Sequence, residues 1–137
     1  MSQENVEIVR QLLAANRSGP EEATIDVAVR LTDPNLEFRS RVSAVEGGTY
    51  RGHDGARRYF SDMADAWQEW RNDAEHVVEI DPDAVLIEIR FWGVGKGSGA
   101  VIELRSVILF VLSGGRVSQI HSYETKAQAL EAAGLSE

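Results

Sequence analysis

Apolar residues recur at helical spacing at Val6, Val9, Leu12 and Leu13, behind Ser2 as a cap and Glu4 in the first turn. This pattern predicts a first helix that ends near Asn16. Pro20 stands where a first helical residue belongs, with Glu21 and Glu22 behind it and a short stripe of Ile25, Ala28 and Val29. Thr32-Asp33-Pro34-Asn35 stops that second helix, Leu36 to Arg41 alternates as a strand does, and Tyr50-Arg51-Gly52 closes the next loop. With Asp54 or His53 as cap, Ala56, Tyr59, Phe60, Met63, Trp67 and Trp70 then keep 3.6-residue spacing, which predicts a third helix covering a large apolar surface.

From His76 onward the period becomes that of strands, at about 75–81, 84–93, 100–112 and 116–124. They are separated by Asp81-Pro82-Asp83, a glycine-rich loop and Ser113-Gly114-Gly115, turns short enough for an antiparallel meander. Thr125 caps a last helix over Lys126 to Ala133, which Gly134 terminates. No repeat or low-complexity segment interrupts the order. Helices gathered around one strand, then a run of strands, then a terminal helix give an α+β domain with helices on one face of a strongly bent sheet.

Symmetric closure of the loop 94–99 places position 93 opposite 100. Arg90 then faces Glu103 and Glu88 faces Arg105, while Val85, Ile87, Ile89 and Phe91 meet Ile102, Leu104, Ser106 and Ile108 on the other face. The charged set reads as an ion-pair ladder on an outer face, not as a catalytic cluster. Gly93 to Gly99 joins two strands, so it reads as a hairpin loop and not as a phosphate cradle leading into a helix.

The chain has 137 residues, enough for one domain with a real core, and 43% hydrophobic with 26% charged residues is an ordinary globular balance. A formal charge of -8 without any basic run opposes nucleic acid as a partner. With no cysteine, disulfides, thiolate metal sites and a cysteine nucleophile are excluded. His53, His76 and His121 have no metal-ligand spacing, so no metal site is expected. Glu4 and Glu7 set the first ten residues apart from a secretory signal, and no apolar run reaches bilayer length. The expectation is a cytoplasmic protein with no membrane partner.

Several strings in order resemble SnoaL-like proteins of the nuclear transport factor 2-like superfamily, in particular an actinobacterial type. They are Glu4-Asn5-Val6-Glu7-Ile8-Val9-Arg10, Asp33-Pro34-Asn35-Leu36-Glu37-Phe38, Tyr50-Arg51-Gly52-His53-Asp54-Gly55, and Gly115-Arg116-Val117 through Tyr123 to Ala129-Leu130-Glu131-Ala132-Ala133-Gly134-Leu135. The resemblance covers nearly all of residues 1–137 and implies a single cone-shaped domain, its mainly antiparallel sheet strongly bent, with three helices of the N-terminal half packed on the concave face. It also implies dimerisation through the outer sheet face, here Glu88, Arg90, Trp92, Glu103 and Arg105. Trp92 agrees, since on an exposed sheet it would form a costly apolar patch.

The superfamily holds isomerases, cyclases, dehydratases and hydrolases beside non-catalytic proteins, so fold leaves function open. Matched by position to ketosteroid isomerases, this chain has Leu12 in place of the tyrosine, Arg39 in place of the base and Ile108 in place of the protonated acid, and steroid isomerase chemistry is not expected. Similar actinobacterial proteins often carry a histidine where Ile108 stands. The expected site is a mainly apolar pocket of Leu12, Tyr59, Phe60, Trp67, Ser106, Ile108 and Tyr123, with His121, Glu37 and Arg39 as candidates for cofactor-free acid-base chemistry on a cyclic or polyketide-like molecule. The other reading is a non-catalytic dimeric ligand-binding or protein-interaction module.

For each candidate a structural role stands beside the chemical one. Glu37 and Arg39 can satisfy each other, Tyr59 can be core, and His53 can be a turn or cap residue. His121 depends on the glycine turn. A two-residue loop of Gly114-Gly115 turns Gln119, His121 and Tyr123 inward, and a three-residue loop turns Ile120 and Ser122 inward.

Overall fold

A computed structural model of the protein describes residues 2–15, 22–42 and 49–134. The elements are α1 (Ser2–Ala15), α2 (Glu22–Arg30), β1 (Thr32–Arg39), β2 (Thr49–Arg51), α3 (Gly52–Ala66), β3 (Trp67–Asp81), β4 (Ala84–Gly95), β5 (Val101–Ser113), β6 (Arg116–Tyr123) and α4 (Lys126–Ala132). The strands form one sheet in the order β2-β1-β6-β5-β4-β3. Only β1 and β6 run parallel; the other neighbours are antiparallel. This is the α+β fold of a curled sheet with helices from the N-terminal half and a short C-terminal helix. The expected end of α1 at Asn16 and start of α2 at Pro20 lie outside the described residues.

One face of the sheet carries the main core. Leu36, Ile87, Ile89, Phe91, Phe110, Val117 and Ile120 pack there against Val9, Leu12, Val29, Tyr59, Phe60 and Met63 of the helices. On the other face α4 sets Ala129 over Leu86, Val107 and Leu109. The position of α4 follows from its ends. Thr125 Oγ1 accepts from the Gln128 backbone N–H at 3.2 Å while Gln128 Oε1 accepts from the Thr125 N–H at 3.3 Å, and Gly134 leaves the helix at φ 80°.

Three features depart from the expected pattern. First, α3 ends at Ala66, and Trp67 and Trp70 belong to β3, which starts at Trp67 and not near residue 75. A bulge at Gln68 puts Trp67 opposite Gly95 and Trp70 opposite Gly93, so two strand residues share a face at a spacing of three, which imitates a helical stripe. Lys96 closes the helix end: its N–H donates to Ala66 O at 3.0 Å and its Nζ to Ala64 O at 3.1 Å.

Second, neither His53 nor Asp54 caps α3; Arg51 holds the cap position without a side-chain bond. His53 Nε2 instead donates to Thr32 O at 2.9 Å and ties the helix start to β1.

Third, the β4–β5 turn uses four residues, Lys96 to Gly99, with the Gly95 N–H bonded to Ala100 O at 2.8 Å. The register therefore slips by two, and Arg90 faces Arg105, not Glu103, while Trp92 faces Glu103 and Glu88 faces Val107. A slip of two preserves which face each side chain takes. Two opposed arginines would repel, and bulged Glu75 of β3 answers both, at 3.3 Å from Arg90 Nη2 and 2.9 Å from Arg105 Nη1.

Gly93 is fixed by its neighbours, because a Cβ there would stand 2.8 Å from Phe91 Cζ and 2.8 Å from Trp67 Cε3. Gly93→Ala is expected to cost about 1–3 kcal/mol through overpacking. Urea denaturation checks this; an unchanged midpoint would contradict the packing described.

Candidate functional site

The face of the sheet that meets the helices does not close completely. Leu36, Phe38 and Ser40 of the β1 region, Ser106, Ile108 and Phe110 of β5, and Ile120 and Ser122 of β6 border a cavity of about 70 Å³. Leu12, Tyr59 and Phe60 cover it from the helices. Its wall is mostly apolar and aromatic: the Phe38 and Tyr59 rings meet at a tilt of 49° with centroids 4.6 Å apart, and Tyr59 meets Phe60 edge-on at 5.2 Å. Polar atoms come from Ser40, Arg41, Asn72, Ser106 and Ser122. Arg41 Nη1 donates to Ser106 Oγ at 2.9 Å and to the Arg105 carbonyl at 3.1 Å.

His121, Glu37, Arg39 and Tyr123 do not border this cavity. The reason is a single residue in β6. The β5–β6 turn is the two-residue Gly114-Gly115 loop, with φ 59° and 79°, and Ser113 pairs with Arg116. Taken alone, that turn sends His121 inward. Between Leu112↔Val117 and Val111↔Gln119, however, Ser118 is extra, and its Oγ donates to Val111 O at 3.1 Å. Beyond the bulge every side chain changes face, so Ile120 and Ser122 look into the cavity and His121 pairs beside Leu109 on the other face.

Glu37 and Arg39 alternate with Leu36, Phe38 and Ser40 and share the outer face with His121. The positional match of Arg39 to an isomerase base is thus displaced by one residue from the cavity wall. The three candidates do come together, with β2 joining them. Glu37 Oε1 lies 2.8 Å from His121 Nε2 and 3.7 Å from Arg39 Nη2, and Glu37 Oε2 accepts from Arg51 Nη1 at 3.0 Å. Tyr123 borders a groove beside α4, and Trp67 lies in a separate groove near Lys96 with its indole N–H donating to Val42 O at 3.1 Å. His76 is exposed, 3.7 Å from Glu88.

Arg41, Asn72 and Ser40 are polar groups at the cavity that the sequence did not single out, and Arg41 is the charged one. Unbroken alternation through residue 41 puts it on the Glu37 face, but β1 ends at Arg39 and the chain bends there. Once the backbone leaves the sheet, parity no longer governs the side chain.

A model of the SnoaL-like domain matches residues 9–120. The chain belongs to the SnoaL-like family. No curated protein matches it. Solved structures agree in fold. A protein described as a SnoaL-like polyketide cyclase from Jannaschia sp. CCS1 superposes with a TM-score of 0.74 at 21% identity, over 97% of this chain and 92% of that one. TerC, crystallised with polyporic acid, gives 0.72 at 17% identity over 93% and 96%. RV0760c of Mycobacterium tuberculosis, in complex with estradiol-17beta-hemisuccinate, gives 0.70 at 12% identity over 90% and 95%. In this SnoaL-like chain two of the three isomerase positions, Leu12 and Ile108, border the cavity and both are apolar.

Among the described residues, the wall of this SnoaL-like cavity contains no carboxylate and no imidazole. The titratable chemistry sits outside it. Burial and the charge of Arg39 hold His121 below the ordinary histidine value of 6.5, against the pull of Glu37. The 2.8 Å contact is close although poorly aligned for a hydrogen bond, and through it Glu37 draws the ring back toward its charged form. Burial pushes Glu37 upward, but the bond from Arg51, the close contact with His121 and the charges of His121 and Arg39 outweigh it and leave the carboxyl below 4.5.

Both shifts have the same sign in stability. The unfolded chain takes up a proton at His121 near 6.5 that the folded chain refuses, so stability falls as pH drops through 6.5 toward the folded value. The Glu37 contribution is present above 4.5 and is lost as pH falls through its folded value. Urea unfolding at about pH 7.5 and about pH 5.5 is expected to show lower stability at the acid end, with a smaller loss in His121→Gln. An equal loss in both proteins would contradict a depressed His121.

Proposed function

We propose that this SnoaL-like protein binds a small hydrophobic molecule in the cavity between helices and sheet, and that His121, Glu37 and Arg39 serve to hold β1 and β6 together. The observation that carries this reading is an apolar, aromatic-walled cavity whose described wall offers hydroxyls, an amide and a guanidinium but no proton acceptor near neutral pKa. General acid-base catalysis needs such a group within hydrogen-bond reach of the reacting atom. Tyr59, Phe60, Leu12, Ser106 and Ile108 are the proposed ligand contacts. TerC and RV0760c, which share the fold, hold ring compounds, and this supports a ring-bearing ligand here.

Size narrows the class. An apolar cavity of roughly 150 Å³ holds benzene, so one of about 70 Å³ takes a single ring only when its wall moves to about double the space. In thermal unfolding, saturating p-xylene is expected to stabilise the protein, by about 2.7 kcal/mol at a hundredfold excess over Kd. Ile108→Phe, which fills the space, should abolish the effect. No stabilisation by p-xylene or any other one-ring compound would overturn the proposal.

We also propose that two copies pair through the outer sheet face. Trp92 lies there, partly covered by Arg71 at 5.3 Å, beside Glu88, Arg90, Glu103 and Arg105, with Val101 exposed at the strand end. A second subunit would remove this apolar surface from water. Light scattering at micromolar concentration should give the dimer mass; a single species of monomer mass would contradict it.

A further inference from the structure

Arg41 has more donors than the fold uses. Its Nη1 is spent on Ser106 Oγ and the Arg105 carbonyl, which fix the plane of the guanidinium against β5. Among the described residues its Nη2 faces only Glu124 Oε2, at 3.8 Å, a separation too long for a hydrogen bond. The Glu124 side chain is 72% exposed, whereas that of Arg41 is 25% exposed. A loose pair with one solvated member contributes little and yields readily to a better acceptor. Arg41 and Ser122 border both the cavity and the groove beside α4, so this guanidinium stands at the passage between the apolar interior and solvent.

We propose that the ligand is a weak organic acid: an apolar body of about one ring in the cavity, with an anionic oxygen received by Arg41 Nη2 in place of Glu124. This rests on the cavity-binding reading above and adds the charge of the ligand to it. The protein's net charge of -8 and the nearby Glu124 and Glu131 disfavour multiply charged ligands, so the acid carries one charge. Ser106 orients Arg41 and Ser122 lies close enough to the mouth to complete a polar collar.

Isothermal titration at about pH 7.5 with 4-methylbenzoate, its neutral amide and p-xylene separates the possibilities. Wild type is expected to bind the acid about tenfold more tightly than the amide, the difference between a charge-assisted and a neutral hydrogen bond. Arg41→Met should erase the preference for acid over amide, and Arg41→Lys should keep part of it. Glu124→Gln, which removes the competing carboxylate without touching the β5 contacts, should strengthen acid binding severalfold and leave the amide unaffected. Equal binding of acid and amide by wild type, a preference that survives Arg41→Met, or no gain in Glu124→Gln would overturn the inference while p-xylene binding keeps the cavity reading intact. Failure of all three compounds to bind would overturn both. Should Arg41→Met not fold, Glu124→Gln alone decides.

Discussion

In a strand the face of every side chain follows from its parity, so one extra residue reverses all that come after it. Ser118 is that residue in β6. The glycine turn before it directs His121 toward the helices, and the bulge sends Ile120 and Ser122 there instead. Because β1 pairs with β6, the same choice fixes what His121 meets across the strands: Arg39 and Glu37, not Phe38 and Leu36. The cavity owes its apolar character to this step, and the outer cluster owes its existence to it.

Electrostatics then divides along the same line. The imidazole, carboxylate and two guanidiniums gather on the face away from the cavity, where each partly satisfies another. The interior keeps hydroxyls, Asn72 and Arg41, whose guanidinium arrives from a bend after β1 and not from a strand position. Such a wall can select a ligand by shape and by a few polar contacts.

Much of the architecture was legible because long segments obey a simple period. The apolar stripe of α3, the alternating faces of β4 and β5 and the Thr125 cap all follow rules local to a few residues. The misreadings share one cause. Bulges at Gln68 and Ser118 shift parity without leaving a composition signal, so Trp67 and Trp70 imitated a helix, and turn length alone could not decide the face of His121. Arg41 was hidden in the same way, since only the end of β1 frees it from alternation. The resemblance to the SnoaL-like family supplied the fold, while Arg39 stands one residue away from the cavity wall, a step that sequence spacing alone does not resolve.

The central claim is that Ser118 turns His121 away from the cavity, and side-chain nuclear Overhauser contacts test it directly. The account predicts contacts between the Ile120 methyls and the Phe38 ring, and between the His121 ring and Leu109, its partner across β5. Contacts from the His121 ring to Phe38 or Tyr59 would contradict it.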